Sequence, residues 1–220
     1  MSEPSDAPLI AVLDYGIGNL RSAQKSLQRS GADARLTSDH GLIADAAGVV
    51  LPGVGAFGAS MNAMRNASLV EVAIDAVASG RPFLGICIGM QLLFEGSEEA
   101  PGEVGLGVVP GIVRLLPDTV KRPQMQWNQL HIISDSPILA DLVDPWMYFV
   151  HSYAADTDPG IVSATCEYGG DVVAAISSGN VQATQFHPEK SGRPGKSVID
   201  NFVAMVLGST VVEAKSVVQG

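Results

Sequence analysis

Apolar positions along the chain follow two rhythms. Leu9 to Leu13 is a short unbroken apolar run closing at Asp14, as expected of a strand buried on both faces. From Asn19 the period lengthens: Leu20, Ala23 and Leu27 share one helical face, and Gly31 is placed to stop that helix. Val49 to Leu51 is a second buried run, ended by Pro52-Gly53. Leu69, Ala73 and Val77 mark another helix face, ended by Gly80. Phe83 to Ile86 is the third buried run, and Gly89 to Phe94 follows it at helical spacing. This alternation predicts parallel βαβ units, a mostly parallel central sheet with helices on both faces.

The second half has a different texture. Short strand-like runs at Gly107 to Leu116, Gln129 to Ile133 and Met147 to Val150 are separated by Pro-containing turns. Ile161 to Glu167, Asp171 to Ile176 and Val181 to Gln185 follow closely, with Gly169-Gly170 and Gly179-Asn180 as turns, which predicts antiparallel hairpins. A last helix is expected over Ser197 to Leu207, stopping at Gly208. The expectation is one α/β domain over residues 9–208 with an antiparallel extension. Residues 1–8 form a disordered or loosely held N-terminus, and residues 209–220 a C-terminal tail.

Composition narrows the classes. The chain has 220 residues, 46% hydrophobic and only 16% charged, too apolar for intrinsic disorder. Its 13 basic and 23 acidic side chains give a net charge of −10, which argues against a nucleic-acid partner. No apolar run approaches the roughly 18 residues that a membrane span needs. Met1 to Pro8 lacks a basic stretch, so no secretory signal is expected. The chain holds two cysteines, Cys87 and Cys166; two thiols in so long a chain read as reduced, which places the protein in the cytoplasm.

Candidate chemistry begins at Gly85-Ile86-Cys87-Ile88-Gly89, where a buried strand meets a helix. That is the setting of a nucleophile elbow with Cys in place of Ser. The glycines leave room for a sharp turn, and the helix start aims N–H groups at the sulfur, which favours thiolate. The competing reading is a small buried hydrophobe, the ordinary state of a free cysteine. It is the better reading for Cys166, mid-strand between Thr165 and Glu167.

A thiol nucleophile needs a base and a group to orient that base. His187, in Thr184-Gln185-Phe186-His187-Pro188-Glu189-Lys190, ends a strand, and Pro188 keeps it out of a helix. In extended chain Glu189, two residues on, lies on the same side and can fix the imidazole tautomer. The loop Leu51-Pro52-Gly53-Val54-Gly55-Ala56-Phe57-Gly58 presents unobstructed N–H groups to an oxyanion or a phosphate. It lacks the Lys-Ser/Thr of a P-loop and the spacing of a dinucleotide fingerprint.

Gly85-Ile86-Cys87-Ile88-Gly89-Met90-Gln91 together with His187-Pro188-Glu189 resembles the class I (triad) glutamine amidotransferases. Within them it is similar to the glutaminase subunits of imidazole glycerol phosphate synthase. Asp14 to Leu20, Leu51 to Met61, Gly85 to Glu99, Tyr148 to Tyr153 and Phe186 to Gly192 carry that likeness. One departure stands out: Pro123-Gln124-Met125-Gln126-Trp127-Asn128 has glutamines where the family usually has His and Gly.

The resemblance implies a flavodoxin-like amidotransferase fold and a glutaminase needing neither cofactor nor metal. It also implies a heterodimer with a (β/α)8 cyclase that uses the ammonia to make imidazole glycerol phosphate and AICAR in histidine biosynthesis. Cys87 would be the nucleophile, His187 the proton carrier and Glu189 its orienting partner. Ile88 and the Gly53, Val54 and Gly55 strand would hold the oxyanion. Gln91, Glu99, Ser152 and Tyr153 would hold the glutamine backbone groups. Trp127, Asn128, Tyr148 and Lys190 would face the cyclase; core packing is the alternative for Trp127 and Tyr148. Few residues follow Glu189, so the user of the ammonia is expected on another chain. The rival expectations are a stand-alone cysteine hydrolase of related fold and a silent flavodoxin-like phosphate-binding module.

Overall fold

The computed structural model describes residues 7–18 and 20–218, with side-chain surroundings as far as residue 209. The expected helix opening at Asn19, residues 1–6 of the N-terminus and the last residues of the tail lie outside the described residues. The first half alternates as its apolar rhythm predicts: β1 (Leu9–Leu13), α1 (Leu20–Arg29), β2 (Asp33–Thr37), α2 (His40–Asp45), β3 (Gly48–Gly53), α3 (Phe57–Asn66), α4 (Val70–Ala78), β4 (Phe83–Cys87) and α5 (Ile88–Leu92). The second half contains β5 (Gly96–Ser97), β6 (Ile112–Leu115), β7 (Gln124–Gln129), β8 (His131–Ile132), β9 (Trp146–His151), β10 (Tyr153–Asp156), β11 (Val162–Glu167), β12 (Asp171–Ser178), β13 (Val181–Thr184) and α6 (Gly192–Val218).

Local chemistry explains the early elements. The buried face of α1 is Leu20, Ala23 and Leu27, and Gly31 at φ +92° ends its turn. The Asp39 carboxylate caps α2 by accepting from the Leu42 N–H at 2.7 Å. Residue 208 does not stop α6: Gly208 is not turned into the left-handed region, and one interior glycine costs a helix only about 1 kcal/mol.

Three elements escape an apolar pattern. β2 and α2 bury little beyond Ala34 and Ile43. β7 inverts the usual alternation, with Gln124 buried while Met125 and Trp127 face solvent. The predicted strand over Gly107 to Leu116 contracts to β6, and Gln129 to Ile133 to β8.

Among the described residues the main sheet has eight strands in the order β2-β1-β3-β4-β13-β12-β11-β8. The first five are parallel, and β12, β11 and β8 continue it antiparallel. The parallel part has the flavodoxin-like order, which reverses direction at β1 and β3, where α/β proteins bind ligands beyond the strands' carboxyl ends. β13, last in sequence, inserts beside β4, so that Thr184 lies opposite Ile86 while Gly53 of β3 lies opposite Cys87. Three segments far apart in sequence therefore end at one edge. A ribbon of β7 and β9 and a small sheet of β10, β6 and β5 wall this edge off.

The tightest packing is under the β4–α5 junction. A Cβ on Gly89 would lie 1.7 Å from the Leu51 carbonyl oxygen, whereas one on Gly55, at φ +105°, would meet nothing within 4 Å. We predict that Gly89→Ala lowers stability by at least about 3 kcal/mol or prevents folding, since backbone must move. Gly55→Ala should cost only the left-handed strain, about 1–2 kcal/mol. Equal denaturation midpoints for the two variants would contradict this.

Candidate active site

Cys87 closes β4 and immediately precedes α5, with φ 55° and ψ −111°. Few side chains tolerate such a backbone, and strain of this kind costs on the order of 1–3 kcal/mol. The sheet over-determines it: β3 and β13 hold β4 from both sides, and α5 packs back onto β3 and β4. Gly85 and Gly89 make the turn possible. A Cβ at residue 85 would come within 3.0 Å of the Gly89 carbonyl and the Met90 Cα. The N–H of Ile88, first in α5, belongs to a helix start, where amide groups have no intrahelical partner.

His187 follows β13 in extended conformation and is almost fully buried. Its Nδ1 lies 2.8 Å from Glu189 Oε1. The extended geometry expected for His187-Pro188-Glu189 is replaced after His187 by a short 3-10 turn at Pro188–Lys190, which brings the carboxylate round instead. Nε2 is buried and makes no hydrogen bond of normal geometry within the described residues, while the Cys87 sulfur is near enough to favour a charged ring. Burial alone would depress the imidazole; the hydrogen bonds and charges of Cys87 and Glu189 outweigh it and lift the pKa from 6.5 to about 9. Cys166 is a different case: burial, above all, pushes its thiol up to about 11, and Gln124 Nε2 lies 3.7 Å from its sulfur. That thiol is inert.

A cavity of about 240 Å³ opens at Cys87, lined by Val54, Gly55, Ile88, Gln91, Glu99, Ser152, Tyr153 and His187 among others. It is smaller than the roughly 300–1,000 Å³ of pockets for drug-sized ligands, and suits a free amino acid. Glu99 does two jobs. Its Oε2 accepts from the Phe57 N–H at 2.7 Å, capping α3 from 42 residues away, and its side chain also lines the cavity. Gln91 Nε2 is already committed to the Tyr153 carbonyl and to Gln185 Oε1, each at 2.9 Å, which leaves its Oε1 as the free end.

Two cavity neighbours had no place among the expected site residues. Gln185 Nε2 lies 3.8 Å from the Cys87 sulfur, and the signal was its position two residues before His187 on the same strand side. His151 donates from Nδ1 to the Tyr153 carbonyl at 2.8 Å; burial drives its pKa down to about 4, so it is a neutral ring.

Of the residues expected to face a partner, Trp127 and Tyr148 lie directly opposite on β7 and β9, with rings 6.1 Å apart in an edge contact. Trp127 is half exposed, so core packing does not explain it. Tyr148 continues inward to the His187 ring at 6.4 Å, and its carbonyl accepts from the His187 N–H. Lys190 is exposed at the end of the short turn that carries Glu189, on a groove it shares with Pro52, Gly53 and Val54. The Asn128 amide donates to the Glu167 carbonyl at 2.8 Å, tying β7 to the end of β11.

A cysteine on a strained strand–helix turn, backed by a His–Glu pair on a parallel sheet, defines an α/β cysteine hydrolase of the acyl-transfer class. The family model for class-I glutamine amidotransferases matches residues 11–206. A chain named imidazole glycerol phosphate synthase subunit HisH, from Methanothermobacter thermautotrophicus, is 47% identical over 90% of this chain and 99% of its own. Its namesake from Synechococcus elongatus is 46% identical over 92% and 95%. A solved structure titled glutamine amidotransferase superposes with TM-score 0.73 at 20% identity, over 90% of this chain and 98% of that one. The chain belongs to the class-I glutamine amidotransferase family, and within it to the group of HisH subunits.

The electrostatics give a direct test. His187 in the folded chain should stay charged through neutral pH and lose its proton near pH 9. Cys87→Ala removes the strongest influence raising that value and leaves burial opposed by Glu189 alone, so the titration should move down. Ring nitrogen shifts followed by NMR measure both; a His187 already neutral at pH 7 in the unmodified chain would refute this picture.

Proposed function

We propose that this chain is the glutaminase subunit of an imidazole glycerol phosphate synthase, acting in the cytoplasm on histidine biosynthesis with Cys87, His187 and Glu189 as its triad. The carrying observation is His187, buried between the Cys87 sulfur and the Glu189 carboxylate. Cys87 thiolate attacks the side-chain amide carbon of glutamine. His187 then gives its proton to the departing nitrogen, and ammonia leaves behind a γ-glutamyl thioester. Water gives a proton to His187 and attacks the thioester carbon; the tetrahedral intermediate expels the Cys87 thiolate, releasing glutamate and restoring the thiolate–imidazolium pair. Glu189 keeps Nε2 directed at these exchanges by holding Nδ1.

The tetrahedral oxyanion is assigned to the Ile88 N–H and one N–H of the Gly53-Val54-Gly55 strand. Glu99, Gln91 and the main chain of Ser152 and Tyr153 are assigned to the glutamine backbone groups, Glu99 and Gln91 through the oxygens left after their internal bonds. The exposed Trp127, its neighbour Tyr148 and Lys190 are assigned to contact with a (β/α)8 cyclase, which receives the ammonia and forms imidazole glycerol phosphate and AICAR.

Cys87→Ala should abolish glutamate release with little change in melting temperature or partner binding; Cys166→Ala should leave turnover nearly unchanged. Turnover near that of the unmodified chain in Cys87→Ala would end the nucleophile assignment. Glu189→Gln should lower turnover less than His187→Ala, because a neutral hydrogen bond and packing still orient the ring. Equal damage would mean that Glu189 does more than orient.

Coupling to the partner is tested by glutaminase turnover of the chain alone, with cyclase, and with cyclase plus its nucleotide ligand. The expected rise is about 10²–10³, the size of one oxyanion donor gained. The Gly53-Val54-Gly55 loop would supply that donor by turning one N–H inward, a rotation glycine allows at little cost. Partner binding must then favour the inward state by a few kcal/mol, within the range of coupling between sites. Equal rates in all three would instead favour a stand-alone hydrolase.

A further inference from the structure

The loop after β1 reaches across the sheet edge to the loop after β3. Tyr15 is buried, and its hydroxyl donates to the Pro52 carbonyl at 2.7 Å. Gly53 is packed against that hydroxyl: a Cβ there would lie 2.3 Å from Tyr15 Oη and 3.1 Å from the Ile88 Cβ. Gly18 closes over the next residue, where a Cβ would lie 3.1 Å from Val54 Cγ2 and 3.3 Å from Val54 N. Beyond Val54 the loop opens for two residues: Gly55 and Ala56 are exposed, and a Cβ on Gly55 would meet nothing within 4 Å.

A peptide unit is rigid, so holding the Pro52 carbonyl also holds the Gly53 N–H. Register with β4 reinforces this, because Pro52 and Gly53 lie opposite Ile86 and Cys87. The following peptide, Gly53–Val54, hinges on a glycine; it lies under Gly18, which has no side chain to hold it, and it has no hydrogen bond to Tyr15. Tyr15 does not line the glutamine-sized cavity, so it acts through the loop rather than on a ligand. Its acidity is suppressed by burial and then by the Cys87 charge, which keeps the proton on the hydroxyl as a permanent donor.

We propose that Tyr15 is a positioning residue of the glutaminase reaction. By pinning the Pro52–Gly53 peptide, it confines the rotation that offers an N–H to the oxyanion to the Gly53–Val54 peptide. This rests on the glutaminase reading above and adds the residue that holds one side of its oxyanion loop still.

Tyr15→Phe keeps the ring and removes one buried hydrogen bond. The full chain is assayed with its cyclase and nucleotide ligand. The expected result is a kcat about tenfold lower, the scale of one lost hydrogen bond. KM for glutamine should stay within about twofold, because Tyr15 does not line the glutamine cavity and the N–H it positions serves the oxyanion, not the bound amide. Alkylation of Cys87 by iodoacetamide should keep its rate, because that reaction forms no oxyanion. Unchanged kcat in a folded variant overturns the proposal, and so does a parallel loss of turnover and alkylation.

Should the variant not fold, relaxation dispersion on the unmodified chain decides. The Gly53 amide should be static while that of Val54 exchanges; equal exchange at both overturns the hinge. Unmodified chain that turns over no glutamine beside its partner refutes the glutaminase reading and the hinge with it. Normal turnover with an indifferent Tyr15→Phe refutes the hinge alone.

Discussion

The backbone of Cys87 is the constraint from which the site follows. A residue at φ 55° and ψ −111° does not persist unless its surroundings leave no alternative. Here β3 and β13 pair with β4 on both sides, and Gly85 and Gly89 allow α5 to fold back with backbone nearly touching backbone. The same crowding that makes Gly89 irreplaceable sets the sulfur at the carboxyl edge, at the start of a helix. Fold and reactivity share one cause.

Around that turn the charges are arranged in depth. An imidazole this deeply buried would ordinarily be neutral, as His151 is one strand away. His187 escapes that fate because sulfur and carboxylate flank it, and in the proposed reaction the proton it carries goes to the leaving nitrogen. The contrast between two buried histidines at the same cavity separates a ring held ready for proton transfer from one spent on fixing the Tyr153 carbonyl. Second contacts repeat the pattern: Glu99 caps α3, and Gln91 braces Tyr153 and Gln185. Residues facing the cavity are thus also struts of the fold.

The outer ribbon has the opposite character. β7 and β9 turn Trp127 outward and Tyr148 inward toward His187, so that an exposed aromatic edge and the His187 ring are two contacts apart. A surface carrying apolar side chains at this spot, on a chain otherwise low in exposed aromatics, fits a docking face next to the chemistry rather than remote from it.

The sequence by itself determined the parallel core, the elbow at Cys87 and the pairing of His187 with Glu189. Each is a local matter: an unbroken apolar run, a glycine-flanked turn, two residues separated by a proline. It could not reveal β7, whose polar side faces inward, or β2, an edge strand with little to bury. Nor could it place Tyr15 on Pro52, Phe57 on Glu99 or Gln185 beside Cys87. Those contacts depend on β13 inserting next to β4 rather than following β12 outward, and on one loop crossing over another. Hydrophobic periodicity reports whether a residue is buried, but which distant backbone it is buried against is fixed only when whole elements pack in register.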